Sequence, residues 1–380
     1  MITMHRILLN LVAFFLFTAV SFAQNSPVRG TWVTNVGSDA LTSKQKVKET
    51  VLRCKKFGLN TIYVVTWNNG MTMYPSGVAE KYIGIKQDPV YKGFDPIKEI
   101  IAEGHKAGLK VIGWFEFGFS YAYDDTTGIW LKKYPHWAGR DAAGNLLKKN
   151  KFYWWNSLHP EVQSFMNELV LDFVKNYKAD GIQGDDRLPA MPAEGGYDDY
   201  TKTVYAKEHN GLQPPVNSKE SAWVQWRAGK LNEYGKGLYA AIKKQNPRCI
   251  VSWAPSIYPW SKEQYLQDWP AWMAGGYADE LLPQVYRYDI VAYEKTLKEL
   301  ADQLTTTQKQ KVFPGILTSL ADGFLVKQDM LEQMIALNRK YGFGGESTFY
   351  YEGMKKLNPF YPTKNKKKPV AALPDGRSKE

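Results

Sequence analysis

Alternation constrains this chain more than any other feature, because short apolar runs with strand character recur between amphipathic stretches with helical spacing. The runs are "RGTWVTNV" (29–36), "TIYVVTW" (61–67), "LKVIGWFEF" (109–117), "GIQGDD" (181–186), "CIVSWAP" (249–255), "LLPQVYR" (281–287), "VFPGILT" (312–318) and "ESTFYYE" (346–352). Between them, Val47, Val51, Cys54 and Phe57 share a helical face, as do Ile97, Ile100, Ile101 and His105. In "KKFGLNTIYVV", "HKAGLKVIGWF" and "RKYGFGGESTFYY" a glycine follows the last helical turn and a strand begins at once. Glycine takes the left-handed C-cap without a Cβ penalty. Strict alternation with continuous apolar strands predicts a parallel sheet covered by helices. Eight such units predict a closed (β/α)8 TIM barrel rather than an open doubly wound sheet. The segment "NVGSDALTS" after the first strand lacks the GxGxxG spacing, which removes the main support for dinucleotide binding.

The ends of the chain read differently from its middle. Residues 1–23 carry His5 and Arg6, an apolar run from Ile7 to Val20, and small residues at Ser21 and Ala23, the pattern of a signal peptide. The run is too short for a membrane anchor. An exported protein, periplasmic or secreted and without stable membrane insertion, is expected. No cysteine stands at the cleavage point, so a lipoprotein is not expected; Cys54 and Cys249 are read as buried small residues. The barrel is expected over 27–355 as a single domain and a basic, disordered tail over 356–380. The net charge of +11 has no binding stripe, and the last 18 residues alone hold six Lys or Arg against two acids. A solvated basic surface explains this better than nucleic-acid recognition.

Two connections exceed ordinary link length, from Gly118 to about Pro160 and from Leu188 to about Glu220. Both follow a strand, the third and the fourth, which places them on the C-terminal face where barrels build active sites. In "GIQGDD" alternation puts Gln183 and Asp185 on the axial side, Ile182 on the helix side and Asp186 toward the loop. Strand three ends "WFEFGF", setting Glu116 among aromatic rings that would raise its pKa. Strand eight ends at Glu352, and strand six supplies Gln284 and Tyr286. Paired carboxyls are what glycoside hydrolysis requires, one protonated to assist the leaving oxygen and one ionised. The catalytic candidates are therefore Asp185 as the ionised member, Glu116 as the preferred acid, then Asp186 and Glu352. The competing structural reading has Asp185 or Asp186 capping the loop or pairing with Arg187.

Fourteen per cent of residues are Phe, Trp or Tyr, with 13 Trp, more than a core of this size needs. Aromatic faces stack on flat sugar faces. Trp67, Trp155 and Trp253 are expected to do so, with Arg187, Gln284 and Tyr286 completing the substrate-binding set. No HxxxH or clustered His and Cys spacing is present, so neither a metal nor another cofactor is expected, and no GxSxG elbow marks a serine hydrolase.

The stretches "RGTWVT", "GLNTIYVVTWNNG", "GFDPIKEIIAEGHKAGLKVIGWFEFGF", "HPEVQSFMNELVLDFVKNYKADGIQGDDR" and "DELLPQVYRYD" occur in an order and spacing that resembles the family-10-like glycosylhydrolases, a bacterial group of exported TIM-barrel proteins. The resemblance spans about Pro27 to Glu352. It implies a glycosidase-type barrel acting on bacterial envelope glycans such as peptide-free peptidoglycan strands. It carries the family's strand-four acidic motif onto Asp180, Asp185 and Asp186, its strand-three acid onto Glu116, and its strand-six Gln and Tyr onto Gln284 and Tyr286. One departure stands out: Gly184 occupies a position where a bulky residue such as Phe is expected, which would widen the cleft or loosen Asp185. A glycoside hydrolase cleaving O-glycosidic bonds in an envelope or extracellular polysaccharide is the expected function. The alternative is a non-catalytic glycan-binding barrel of the envelope.

Overall fold

The computed structural model describes residues 26–124, 128–320 and 322–361; the expected signal peptide and the tail beyond 361 lie outside the described residues. Nine strand segments form one parallel sheet: β1 (Val28–Val33), β2 (Thr61–Val65), β3 (Lys110–Phe115), β4 (Gly181–Gly184), β5 (Ile250–Trp253), β6 (Glu280–Leu281), β7 (Gln284–Val285), β8 (Gly315–Leu317) and β9 (Gly345–Phe349). Neighbours run β6-β5-β4-β3-β2-β1-β9-β8-β7. The sixth expected strand is thus broken into β6 and β7 at Leu282 and Pro283, where proline offers no N–H to a ladder. A parallel bridge from Leu281 of β6 to Val312, in the segment leading into β8, brings the far edges of that order together. The sheet curls into the (β/α)8 TIM barrel that the alternation predicts.

The principal outer helices are α1 (Lys44–Lys56), α2 (Pro96–Lys106), α3 (Pro160–Asn176), α4 (Asp199–Glu208), α5 (Ser221–Gln245), α6 (Trp269–Ala274), α7 (Ile290–Asp302) and α8 (Gln328–Lys340). Several starts are set by side chains that satisfy free backbone donors: Ser43 accepts from Lys46 N at α1 and Asp95 from Lys98 N at α2. The glycines expected to end α1, α2 and α8 do adopt left-handed backbone, with φ of 77°, 71° and 81° at Gly58, Gly108 and Gly342. His105 departs from its expected apolar setting: it is exposed and pairs with Asp180 at 2.9 Å.

Inside the ring, Trp32, Tyr63 and Trp114 fill the axis. A buried polar thread crosses them, and each member has a partner, as burial demands. Trp32 Nε1 donates to Gln183 Oε1 at 2.6 Å, Gln183 Nε2 to Ser252 Oγ at 2.9 Å, and the Tyr63 hydroxyl to Glu280 Oε1 at 2.9 Å. Burial pushes the Glu280 carboxyl up to about 7.

The long loop after β3 has a core of its own. A three-stranded antiparallel sheet, in the order 120–123, 152–154, 148–149, is closed by a two-residue turn at Asn150 and Lys151, both left-handed with φ of 51° and 69°, the backbone a tight hairpin requires. Behind it, Trp67, Trp130, Trp137 and Trp155 pack around Phe165 of α3. At the other end of the chain, packing runs past the boundary expected at 355: Phe360 meets Phe57 with ring centres 5.6 Å apart, and the buried Tyr361 donates to Glu346.

Candidate active site

Gln183 faces the axis and Ile182 the helices, so Asp185 emerges at the C-terminal rim on the axial side, as alternation requires. It is held tightly. Asp185 Oδ1 accepts from Asp186 N at 2.8 Å and from Gln284 Nε2 at 2.8 Å, while Oδ2 accepts from Arg187 Nη2 at 3.1 Å. Gln284 reaches across from β7 and is itself fixed on Ala254 O at 3.0 Å. Gln267 anchors the backbone, donating to Asp185 O at 3.0 Å.

Arg187 is the hub. Its Nε donates to Glu116 O at 2.8 Å, Nη2 lies 3.8 Å from Glu116 Oε1, and Nη1 lies 2.9 Å from Asp186 Oδ1. Phe152, from the hairpin after β3, covers the guanidinium at 4.6 Å from its ring centre, with Phe117 at 5.6 Å. The planar cation stacks on rings and forks to carboxylates, which no lysine would reproduce. The loop is drawn close here, since Phe119 N donates to Arg187 O at 2.9 Å. That approach needs Gly118: a Cβ there would lie 2.1 Å from Arg187 O.

Three carboxyls therefore surround one guanidinium, all of them sheltered. Burial and the neighbouring Asp186 and Glu116 carboxylates push the Asp185 carboxyl well above its usual range, while Arg187 pulls it down. Burial also raises Glu116, against Arg187 and a hydrogen bond from Asn68 Nδ2 to its Oε2 at 2.7 Å. Full ionisation would leave this sheltered cluster with two uncompensated negative charges, which opposes ionising all three carboxyls together. The three donors on Asp185 fit its ionised form. Glu116 is the more open of the two, with 15 % of its side chain exposed against 5 % for Asp185. Tyr286 completes the group, stacked on Phe349 at 5.0 Å and raised by burial and by the Asp185 and Asp186 carboxylates.

Asp185, Asp186, Glu116, Arg187, Gln284 and Tyr286 thus come together. Other expected members do not. Glu352 accepts from Ser38 Oγ at 2.6 Å and pairs with Lys355 at 2.8 Å, so its two oxygens are engaged with partners outside the trio. Asp180, at the opposite end of β4, accepts from Val111 N at 2.7 Å and is structural. Trp67, Trp155 and Trp253 are buried and present no face to a sugar: Trp67 Nε1 donates to Gly118 O, Trp253 Nε1 to Tyr277 O, and Trp155 stacks on Tyr121. They support the rim from beneath. The expectation about Gly184 is also corrected. A Cβ there would lie 2.6 Å from the Trp253 ring and 2.3 Å from Leu188 O, so Trp253 occupies the space and Asp185 is not loosened.

The exposed aromatic residues among those described are Tyr123, Tyr200, Trp260 and Tyr288, at 47, 38, 45 and 55 %. Tyr123, Trp260 and Tyr288 follow barrel strands on the C-terminal side, whereas Tyr200 sits at the start of α4 beside His159. Tyr123 meets Phe152 at 5.0 Å, and Trp260 meets Tyr265 at 5.5 Å, whose hydroxyl feels the charge of Asp186. Sequence reasoning favoured tryptophans near strand ends; residues further out in the loops, beyond the packed layer, were the ones to seek.

A closed barrel with sheltered carboxyls gathered on its C-terminal rim defines a glycoside hydrolase-type barrel. The chain belongs to the family "Glycosyl hydrolase-like 10", whose model matches residues 27–333. Among named relatives, glycosyl hydrolase DigH of Escherichia coli strain K12 is 23 % identical over 302 residues, covering 70 % of this chain and 65 % of that protein. Glycosyl hydrolase YngK of Bacillus subtilis strain 168 is 22 % identical over 271 residues, covering 64 % of this chain and 48 % of that protein. The chain spans about half to two thirds of the length of these relatives. The fold is shared with the PgaB (BpsB) glycoside hydrolase domain from Bordetella bronchiseptica, at a TM-score of 0.65 and 12 % identity, covering 88 % of this chain and all of that one. The catalytic domain of β-amylase from Paenibacillus polymyxa follows with a TM-score of 0.60 and 12 % identity, covering 89 % and 95 %.

Proposed function

We propose that this chain is an exported glycoside hydrolase that cleaves O-glycosidic bonds within a polysaccharide of the bacterial envelope, denuded peptidoglycan being the first substrate to try. The observation that carries the reading is the trio of Glu116, Asp185 and Asp186 around Arg187 at the strand ends, with more carboxyls than the one cation neutralises. Asp185 is the ionised member, held in one orientation by Gln284 and Arg187. It attacks the anomeric carbon or stabilises the positive charge that develops there. Glu116 carries the proton that the leaving oxygen takes, its pKa raised by burial as a general acid needs. Tyr286 lies close to the same acids, and the exposed rings of Tyr123, Trp260 and Tyr288 suit successive sugar faces. Export rests on the first 23 residues.

The test is incubation of the purified protein with a panel of defined glycans, including denuded peptidoglycan strands, and mass spectrometry of the products. Shortened strands that depend on Asp185 are the expected result. Binding without any shortening would favour the alternative of a glycan-binding barrel, which the close pairing of all three acids with Arg187 also suits.

A further inference from the structure

The acids stand where the strands end; the opposite pole of the barrel, where strands begin and outer helices end, gathers the positive charge. The connections from the last turn of each helix to the first residue of the next strand are residues 53–61, 103–110, 173–181, 242–250, 271–280, 299–315 and 337–345, and they hold fourteen Lys or Arg against six Asp or Glu. On the acid-bearing face the connections 33–47, 65–99, 115–163, 184–224, 253–272, 285–293, 317–331 and 349–356 hold 21 against 23. Charge that forms no stripe along the chain is thus collected by the fold on one face.

The excess lies on the surface. Among the acids of that pole Glu280 is buried, Asp279 pairs with Lys243, Asp180 with His105 and Glu103 with Lys106. Lys55, Lys56, Lys110, Lys178, Arg248 and Lys311 are exposed and make no ion pair among the described residues. Cations in the last turn of a helix offset its macrodipole, which accounts for Lys55 and Lys56. Lys110, Lys178, Arg248 and Lys311 lie beyond the helix ends and need another reason.

Both ends of the described chain leave from this pole. The buried Tyr361 packs on Gly58, where a Cβ would lie 2.8 Å from Tyr361 Cβ, and Arg29 covers its ring at 5.4 Å. Residues 363–380, with six Lys or Arg against two acids, therefore follow on from the basic face. β1 begins there too, so the apolar run Ile7–Val20, which export would place in a bilayer, precedes the same pole.

The shape of the charge selects the partner. The six exposed cations come from the connections entering β2, β3, β4, β5 and β8, so they spread over the end of the barrel instead of lining a groove. A polyanionic strand would meet few of them at once, whereas a charged plane meets them together. We infer that the basic pole and the tail dock on the anionic phospholipid surface of a bilayer, held by charge without insertion. The barrel then stands with its acids turned away from the lipid. This docking rests on the charge of the pole and not on the glycan-cleaving reading of the rim.

The experiment is flotation of the protein, purified from Gln24 onward, with phosphatidylcholine vesicles that contain either no anionic lipid or about 30 mol % phosphatidylglycerol. Binding to the anionic vesicles alone is expected at about 0.05 M salt, with release at about 0.5 M. Replacing Lys55, Lys110, Lys178 and Arg248 together by Glu should weaken binding roughly tenfold or more, and removing residues 362–380 should weaken it further. The same four-fold reversal at Lys92, Lys132, Lys133 and Lys148, on the acid-bearing face, should leave at least half of the binding, which separates the face from the net charge. Melting curves confirm that each variant is folded. Equal loss in the two four-fold variants overturns the inference, as does equal binding to neutral vesicles. Tighter retention by a duplex oligonucleotide than by the anionic vesicles overturns it too, since a strand would then be the partner. Vesicle docking by a protein that cleaves no glycan would uphold the role of the pole and remove the hydrolase reading instead.

Discussion

The Arg187 guanidinium stacks 4.6 Å from the centre of the Phe152 ring, so the hairpin after β3 holds in place the cation on which three carboxyls depend. Removing Phe152 would free the guanidinium to turn toward solvent. A Phe152→Ala change should lower turnover by roughly tenfold to a hundredfold, with thermal stability reduced by about 1–3 kcal/mol for the lost half-buried ring. Kinetics and melting of the variant decide this.

Asp185→Asn preserves shape and removes the charge. Loss of cleavage by about three orders of magnitude or more is expected, with folding and glycan binding nearly intact, because the missing interaction is made only in the transition state. Full activity would take Asp185 out of the mechanism.

The pH profile should carry the mark of Glu116. An acid works only while protonated, so activity falls as pH rises through its pKa, and burial moves that fall upward from the ordinary carboxyl range. In Glu116→Gln the alkaline fall should vanish along with most activity toward substrates with poor leaving groups. An unchanged profile would move the acid role to another residue.

Asp185 and Glu116 approach the same nitrogen, Arg187 Nη2, at 3.1 and 3.8 Å. The two oxygens are therefore at most 6.9 Å apart, a bound that admits the separation of about 5–5.5 Å used by retaining enzymes and excludes most of the wider range of inverting ones. NMR of the first product formed should show retained anomeric configuration; inversion would mean that a different pair acts.

Glu280 gives a prediction about stability rather than activity. Its carboxyl, hydrogen-bonded by Tyr63 inside the barrel, titrates at about 7 instead of 4.5. Between those values the folded chain keeps a proton that the unfolded chain has lost, so stability is full at low pH and declines as pH rises through about 7. The change is on the order of 3 kcal/mol at most. Glu280→Gln should flatten the dependence of melting temperature on pH between 5 and 8.

The barrel was legible because its signals are local and repeated. Eight apolar runs and the glycines at 58, 108 and 342 each encode their own backbone. Asp185 and Glu116 were legible for a related reason, since alternation and strand ends fix where a side chain emerges. The break in the sixth strand at Pro283 was written in the sequence too, but its effect on the ladder shows only in the pairing. Glu352 and the tryptophans were misplaced because the partners that claimed them are distant in sequence. Ser38 lies 314 residues from Glu352, and Phe165 on α3 decides that Trp67 and Trp155 face inward. Burial of a strand-end aromatic depends on what the following loop brings over it, which spacing does not record.

The indoles beneath the loop after β3 have a consequence for engineering. Because Trp130, Trp137 and Trp155 interlock with Phe165 of a barrel helix, that loop is not an interchangeable fitting. Transplanting it into another scaffold would require carrying over the helix face on which it rests, and natural variation in cleft shape within such proteins should therefore come as paired changes in loop and wall.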